Sequence, residues 1–240
     1  MSLTIGITER GDAALDTSWQ NEKVDIYILV TKAPRLLPED LPDQTIIHCT
    51  ITGYGRTWLE PQVSLASWEL DAYKQLVMRY GPRRVVLRVD PIIPQGEWWE
   101  RSLEVVRQAE GRLRVSFIDA YDHARWRIKQ AGHDPAESFP WEGFHAPLEL
   151  RKQRLEEIEQ VAATRPHTSV EVCGEPELPT EGCVSVLDVL AVGRMAEEVS
   201  PLFRPKRPGC TCLMAKRELL AKRKPRPCPH GCLYCYWKDW

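Results

Sequence analysis

An α/β fold with a parallel sheet and helical crossovers is predicted, because short apolar runs alternate with helical runs along most of the chain. Two features of its six strand candidates select a partial (β/α) barrel of about six parallel strands over an open doubly wound sheet. Within the candidates, apolar and polar residues alternate, as they do when one strand face packs on helices and the other points inward. Polar residues also collect at the C-terminal ends of several strands, where α/β folds place their sites.

Leu3–Ile7 and Val24–Val30 are the first two strand candidates. In the third, Thr45–Thr52, Ile47, Cys49 and Ile51 form the apolar set, with His48, Thr50 and Thr52 between them. Cys49 is therefore expected in the core. Gly53-Tyr54-Gly55 is a strand-end turn at which backbone can approach a ligand. Ser67–Tyr80 reads as a helix, with Ser67 as its N-cap and Leu70, Tyr73, Leu76, Val77 and Tyr80 as its apolar stripe. Gly81-Pro82 ends it. Arg84–Val89 is the next strand, with Val85, Leu87 and Val89 on one face and Arg88 and Asp90 on the other. A helix over Glu97–Glu110 follows, opened by Trp98-Trp99, which pack. Strand Leu113–Ile118 leads to Asp119. Helices are expected over Asp122–Gln130 and over Pro147–Thr164, where proline suits the first turn. Strand Ser169–Val172 leads into Cys173-Gly174-Glu175, and a last helix covers Leu187–Val199.

From about Arg204 prolines punctuate a basic segment, with a short helix expected over Lys216–Lys224. The expected division is a barrel domain over residues 1–203 and a basic, cysteine-rich tail over 204–240. The net charge is −2, but Arg204–Trp240 holds ten Lys/Arg and two acids, leaving −10 on the rest. Such a tail either docks on its own acidic body or meets an anionic partner such as nucleic acid. Among the basic residues are Arg204, Lys206, Arg207, Lys216, Arg217, Lys222, Arg223, Lys224 and Arg226. No apolar run is long enough to span a bilayer. Met1-Ser2-Leu3-Thr4 lacks the basic-then-apolar order of a signal peptide. The expected location is cytoplasmic, away from membranes, where clustered cysteines bind metal or act in catalysis more often than they pair.

Five of the eight cysteines lie in the last 31 residues, and three of them read Cys228-Pro-His-Gly-Cys232-Leu-Tyr-Cys235. Three thiolates on one short loop leave a metal centre one protein ligand short. That suits an iron–sulfur cluster which binds something else at its last iron. Gly231 lets the backbone turn close to an inorganic core. Zinc is the alternative, with His230, Cys210 or Cys212 completing the set. Cys210, Cys212 and Cys173 either contribute to a second metal site or to thiol chemistry near the first, or are half-buried cysteines that behave as small hydrophobes. Cys183 carries no readable signal.

The loop resembles the cluster-binding signature of the radical S-adenosylmethionine (SAM) superfamily, with Tyr234 at its aromatic position. That resemblance implies a 4Fe-4S cluster on Cys228, Cys232 and Cys235, with SAM on the fourth iron. It further implies cleavage of SAM to a 5′-deoxyadenosyl radical, with an electron donor such as flavodoxin or ferredoxin as partner. A closer resemblance is to the family called domain of unknown function 1848, often labelled as similar to DNA repair photolyases. Five segments carry it, in the family's order. They are Thr31-Lys32-Ala33-Pro34; Thr50–Gly55 with Leu59-Glu60-Pro61; Leu87–Ile92; Ser116–Tyr121; and Gly209–Cys212 followed by Cys228–Tyr236. Of the family's opening Ser-Arg-Arg-Thr-Asp pattern, Arg10 and Asp12 carry over, and the basic linker Leu213–Pro227 is longer than the family's. The implied architecture is a radical SAM-like partial barrel with its cluster loop at the C-terminal end.

On these grounds Arg88 and Asp90 are expected as catalytic residues, with Thr50, Thr52, Asp119 and Tyr234 around the cofactor. Arg88 is expected to pair with a carboxylate, that of Asp90 or of SAM. Tyr234 is expected to stack on an aromatic ligand beside the cluster. A zinc-organised, non-catalytic nucleic-acid-binding protein is the second reading.

Overall fold

A computed structural model describes residues 3–165, 167–198, 210–213, 216–220 and 228–238. Seven strands form one parallel sheet: β1 Ile5–Ile7, β2 Ile26–Thr31, β3 Thr45–Thr50, β4 Val85–Ile92, β5 Arg112–Phe117, β6 Ser169–Val172 and β7 Lys216–Glu218. Their order is β6-β5-β4-β3-β2-β1-β7. The first six are thus neighbours in chain order, with none of the reversal that defines a doubly wound sheet. Right-handed crossovers between successive parallel strands put the connecting helices on one face. Six α-helices are described: α1 Ala66–Tyr80, α2 Gly96–Val106, α3 Asp122–Gln130, α4 Pro135–Ser138, α5 Leu148–Ala163 and α6 Val186–Ala191.

The strand alternation sorts the two faces as expected. Ile47, Cys49, Ile51, Val85, Leu87 and Val89 pack in one core with Tyr73 and Val77 of α1, Trp99 and Leu103 of α2 and Leu155 and Ile158 of α5. The opposite face carries a second cluster that includes Ile5, Ile28, Ile46, Val86, Cys173 and Cys212. Cys173 follows edge strand β6 and Cys212 precedes edge strand β7, so the sheet curls until its edges approach. It does not close. The segment before α6 fills the seam: Glu181 N–H donates to Val172 O of β6 (2.6 Å), and Leu213 N–H donates to Val184 O (2.9 Å).

Several expectations need correction. Lys216–Glu218 is the seventh strand, not the start of a helix, and residues 221–227 lie outside the described residues. A three-residue strand reading Lys-Arg-Glu has no apolar period to betray it. Ser67 does not cap α1, which begins one residue earlier with Leu65 at its N-cap and no capping side chain. The last helix spans only Val186–Ala191. It is fixed at its start by a Ser185–Asp188 capping box and followed by Gly193 in the left-handed region, φ 77°. The Gly53-Tyr54-Gly55 turn serves packing. A Cβ at Gly53 would stand 2.6 Å from Arg101 O, and one at Gly55 would stand 1.9 Å from Ser64 O. Tyr54 is buried between them, its hydroxyl bonded to Ser102 Oγ and accepting from Ile93 N–H.

Candidate active site

The inward face of the sheet carries Ile5, Ile28, Ile46 and Val86 on β1 to β4 and buried charged residues on β5 and β6. Arg112 and Arg114 are buried on β5, where Glu171 of β6 accepts from both. Asp188 of α6 takes the other side of Arg112 at 2.8 Å. His48 of β3 stands 3.2 Å from Arg114. Burial, then Arg114 and Arg88, hold His48 well below 6.5, so it is neutral.

Past this layer lies a cavity of about 160 Å³ at the C-terminal ends of β3, β4 and β5. Thr50, Arg88, Asp90 and Asp119 line it from the sheet, and Cys228, Cys232, Tyr234 and Cys235 line it from the tail. Arg88 and Asp90 sit at i and i+2 of β4, share its inward side, and pair with each other, Arg88 Nε donating to Asp90 Oδ2 at 2.7 Å. Asp119 pairs with His145 Nδ1 at 2.7 Å. Thr50 Oγ1 is buried with no hydrogen-bond partner among the described residues. Thr52 is one step behind the cavity wall, its hydroxyl donating to Glu60 at 2.8 Å.

The tail loop is held down by body residues that the sequence reading did not single out. Glu60, 1% exposed, accepts from Lys32 Nζ (2.7 Å), from Thr52 and from the Tyr234 hydroxyl. Lys32 also donates to Tyr234 (2.9 Å). Asp12 Oδ2 meets His230 Nε2 at 2.6 Å and accepts from Lys32 N–H, while Oδ1 accepts from Thr31 Oγ1. Arg127 donates to the carbonyls of Cys235 and Trp237, both at 2.7 Å. Leu233 N–H donates to Leu59 O at 3.0 Å. Thr31, Lys32, Thr52 and Glu60 all stand in segments already quoted for the family resemblance. A buried acid in a loop carries no periodic signal, so only that resemblance could have pointed to Glu60.

Burial alone would raise the Asp12 carboxyl, but His230, the Lys32 N–H and Thr31 hold it below its usual 3.8. Burial pulls the Lys32 ammonium down, and Glu60 and the Cys232 sulfur more than reverse it. Burial raises the Cys232 and Cys235 thiols. Tyr234 is anchored on the body. Its ring lines the cavity, but its hydroxyl is tied back to Lys32 and Glu60, and the ring stands edge-on to Tyr54 at 6.4 Å.

Three soft donors on one loop, beside open volume and a Thr50 hydroxyl with no hydrogen-bond partner among the described residues, suit a thiolate-bound cluster with a ligand next to it. Gly231 has φ 60°, the turn conformation expected of it. Among the described residues no three His, Cys, Asp or Glu side chains converge on a single-ion site. Of the other cysteines, Cys49 is in the sheet–helix core as expected. Cys183, silent in the sequence, is buried with its sulfur 3.2 Å from that of Cys212.

No helix among the described residues is long and apolar enough to cross a membrane. No curated protein and no solved structure matches the chain. A family match runs over residues 11–237, from after β1 through the other six strands, most of the cavity wall and the tail loop, and the chain belongs to that family, described as domain of unknown function (DUF1848).

Proposed function

We propose that the protein is a radical SAM-like enzyme, a partial barrel whose Cys228, Cys232 and Cys235 hold a 4Fe-4S cluster at the mouth. When bound there, the cluster and SAM supply reductive cleavage of SAM to a 5′-deoxyadenosyl radical, with electrons from a flavodoxin- or ferredoxin-type donor. The observation that carries this reading is that the three loop cysteines and the C-terminal ends of β3, β4 and β5 wall one cavity. Arg88 and Asp90 form a paired charge on that wall, so a carboxylate entering the cavity competes with Asp90 for the guanidinium. Thr50 offers a hydroxyl that has no other partner among the described residues. Tyr234, Lys32 and Glu60 fix the loop and exclude water behind it.

The alternative is a zinc-organised nucleic-acid-binding protein. The described part of the basic tail favours docking on the body instead, since Lys216 pairs with Glu9 and Arg217 with Glu22. The deciding experiment is anaerobic reconstitution followed by a SAM-cleavage assay. Reduced protein should yield 5′-deoxyadenosine and methionine. Arg88→Ala and Asp90→Ala should slow this at least tenfold while iron and sulfide content stay unchanged. A colourless zinc protein, or a cluster-loaded protein that never cleaves SAM, would overturn the proposal.

A further inference from the structure

Two buried thiols touch at the seam of the sheet, apart from the loop. Cys183 lies in the segment that fills the seam, and Cys212 precedes β7. They come from separate stretches of chain, yet their sulfurs stand 3.2 Å apart. The backbone is shaped for this meeting. A Cβ at Gly182 would stand 2.6 Å from Cys212 Cα, so glycine is what lets the two segments cross in contact. One residue further along each segment, Leu213 N–H donates to Val184 O at 2.9 Å and holds them side by side. Cys173 and Cys210 pack in the same apolar cluster.

The two sulfurs are not equivalent. Lys216 Nζ stands 3.4 Å from Cys183 Sγ, and Glu9 Oε1 lies 3.7 Å from the same sulfur, placed to accept the thiol proton. Lys216 also pairs with Glu9. An ammonium at that distance favours the thiolate, which is the reactive form. The Cys212 sulfur, in contrast, has Cys183 as its hydrogen-bonding neighbour. Glu9 lines the cavity as well, so a small molecule that enters there is one side chain away from Cys183.

We propose that Cys183 and Cys212 form a peroxide-sensing dithiol, with Cys183 as the nucleophile and Cys212 as the resolving thiol. Hydrogen peroxide is the oxidant. Cys183 gives its proton to Glu9, and its sulfur attacks one peroxide oxygen. An S–O bond forms, the O–O bond breaks, and the leaving hydroxide takes the proton from Glu9 to become water. The Cys212 sulfur then attacks the sulfur of the Cys183 sulfenic acid. An S–S bond forms, the S–O bond breaks, and the hydroxide leaves as a second water with the Cys212 proton. The two thiols lose two electrons, and the peroxide gains them. For this the sulfurs close from 3.2 Å to the ~2.05 Å of a disulfide, an approach shared by two side chains. A dithiol reductant reopens the bond by exchange. The disulfide fastens the segment before α6 to the chain entering β7. It also removes the thiolate that Lys216 shares with Glu9, so the redox state of the seam is felt at the cavity wall. The inference stands apart from the reading of the Cys228 loop.

The test exposes the full wild-type chain, purified reduced and without oxygen, to hydrogen peroxide. Remaining thiols are alkylated in denaturant, and linked peptides are identified by fragmentation mass spectrometry. The expected product is a Cys183–Cys212 disulfide that forms while Cys49 and Cys173 stay alkylatable, and that dithiothreitol reopens. In Cys212→Ser, Cys183 should stop at the sulfenic acid, which dimedone traps. In Lys216→Met, disulfide formation should slow by roughly tenfold or more, because the thiolate loses its ammonium. A wild-type protein with no Cys183–Cys212 link after peroxide overturns the proposal, and so does a link from Cys183 to Cys173 or Cys210. An unmodified Cys183 in folded Cys212→Ser, or a rate that ignores Lys216→Met, does the same. Where a variant fails to fold, the wild-type measurement decides by itself.

Discussion

Glu175, just past β6, shows how one buried side chain sets a pH response. It accepts from Phe117 N–H (2.6 Å) and pairs with Arg151 (3.0 Å). Burial raises it from 4.5 to about 7 against those partners, with Asp119 adding to the rise. Between these values the native state holds a proton that the unfolded chain has lost. Its stabilising contribution is therefore complete below 4.5 and disappears as pH rises through about 7. Glu175→Gln should gain about 3 kcal/mol relative to wild type between about pH 4 and about pH 8, measured by urea unfolding. A difference that stays flat over that range contradicts the assignment. Glu60 makes a sharper demand. Its removal leaves Lys32 buried without its carboxylate, so Glu60→Ala should destabilise by about 3–5 kcal/mol and Tyr234→Phe by only about 1 kcal/mol. Equal losses would mean that the ion pair is not what anchors the loop. The residues legible in the sequence were those with a pattern behind them. Arg88 and Asp90 share a strand face, and the loop cysteines have a spacing. Glu60, Lys32, Asp12 and Cys183 act through contacts with distant segments, which no local window contains.

At the scale of elements, six of the seven strands were legible because each has apolar residues to bury, those of β3 to β6 on the sheet–helix face and Ile5, Ile7, Ile26 and Ile28 of β1 and β2 on the opposite one. β7 has none, and its place is set by pairing with β1 in the register Ile5↔Lys216 to Ile7↔Glu218. The helix after β6 was overextended because it was expected to run on to Val199, whereas the helix ends at Ala191 and Gly193 reverses the chain in the left-handed region. The Gly53-Tyr54-Gly55 turn was legible as a turn but not in its purpose, because the atoms that crowd it come from residues 64 and 101. A side chain at Gly55 has to displace the Ser64 carbonyl, whereas Gly132 is left-handed with open space around it. Gly55→Ala should therefore cost about 3 kcal/mol and Gly132→Ala about 1 kcal/mol, the latter from backbone conformation alone. Matching losses in chemical denaturation would show that the close approach at Gly55 is relieved cheaply.

Over the whole molecule, the sheet curls into a trough, and the tail loop lies across one end of it. The α/β class and the parallel sheet were legible from the rhythm of the chain. The curl of a partial barrel was legible from the polar strand ends, but the seam was not, because it is fixed by contacts between the two edge strands and the segment between them. Charge follows the same division. Lys216 and Arg217 are engaged by Glu9 and Glu22, while Arg204, Lys206, Arg207, Lys222, Arg223, Lys224 and Arg226 lie outside the described residues. With docking as the role of the tail, the protein should show no salt-dependent binding to single- or double-stranded DNA or RNA at low ionic strength. Binding that falls with a log–log slope of roughly −0.7 to −0.9 per phosphate contact would reverse that conclusion and give the tail a nucleic-acid partner.

The pairing of β7 with β1 and of His230 with Asp12 has a kinetic consequence. The latter pair spans 218 positions of the chain. Loop-closure entropy grows only with the logarithm of length, so such closures weaken the final state little, but they delay its arrival. β1 to β6 assemble through successive crossovers between neighbours, whereas the outer edge of β1 waits for Lys216–Glu218. Refolding should therefore populate a species with the main sheet formed and one bare edge. In a pulsed hydrogen-exchange experiment, amides of β3 to β5 should become protected before those of Leu219 and Leu233. The exposed edge in that interval is where self-association should begin, so refolding yield should fall with protein concentration before it falls with denaturant.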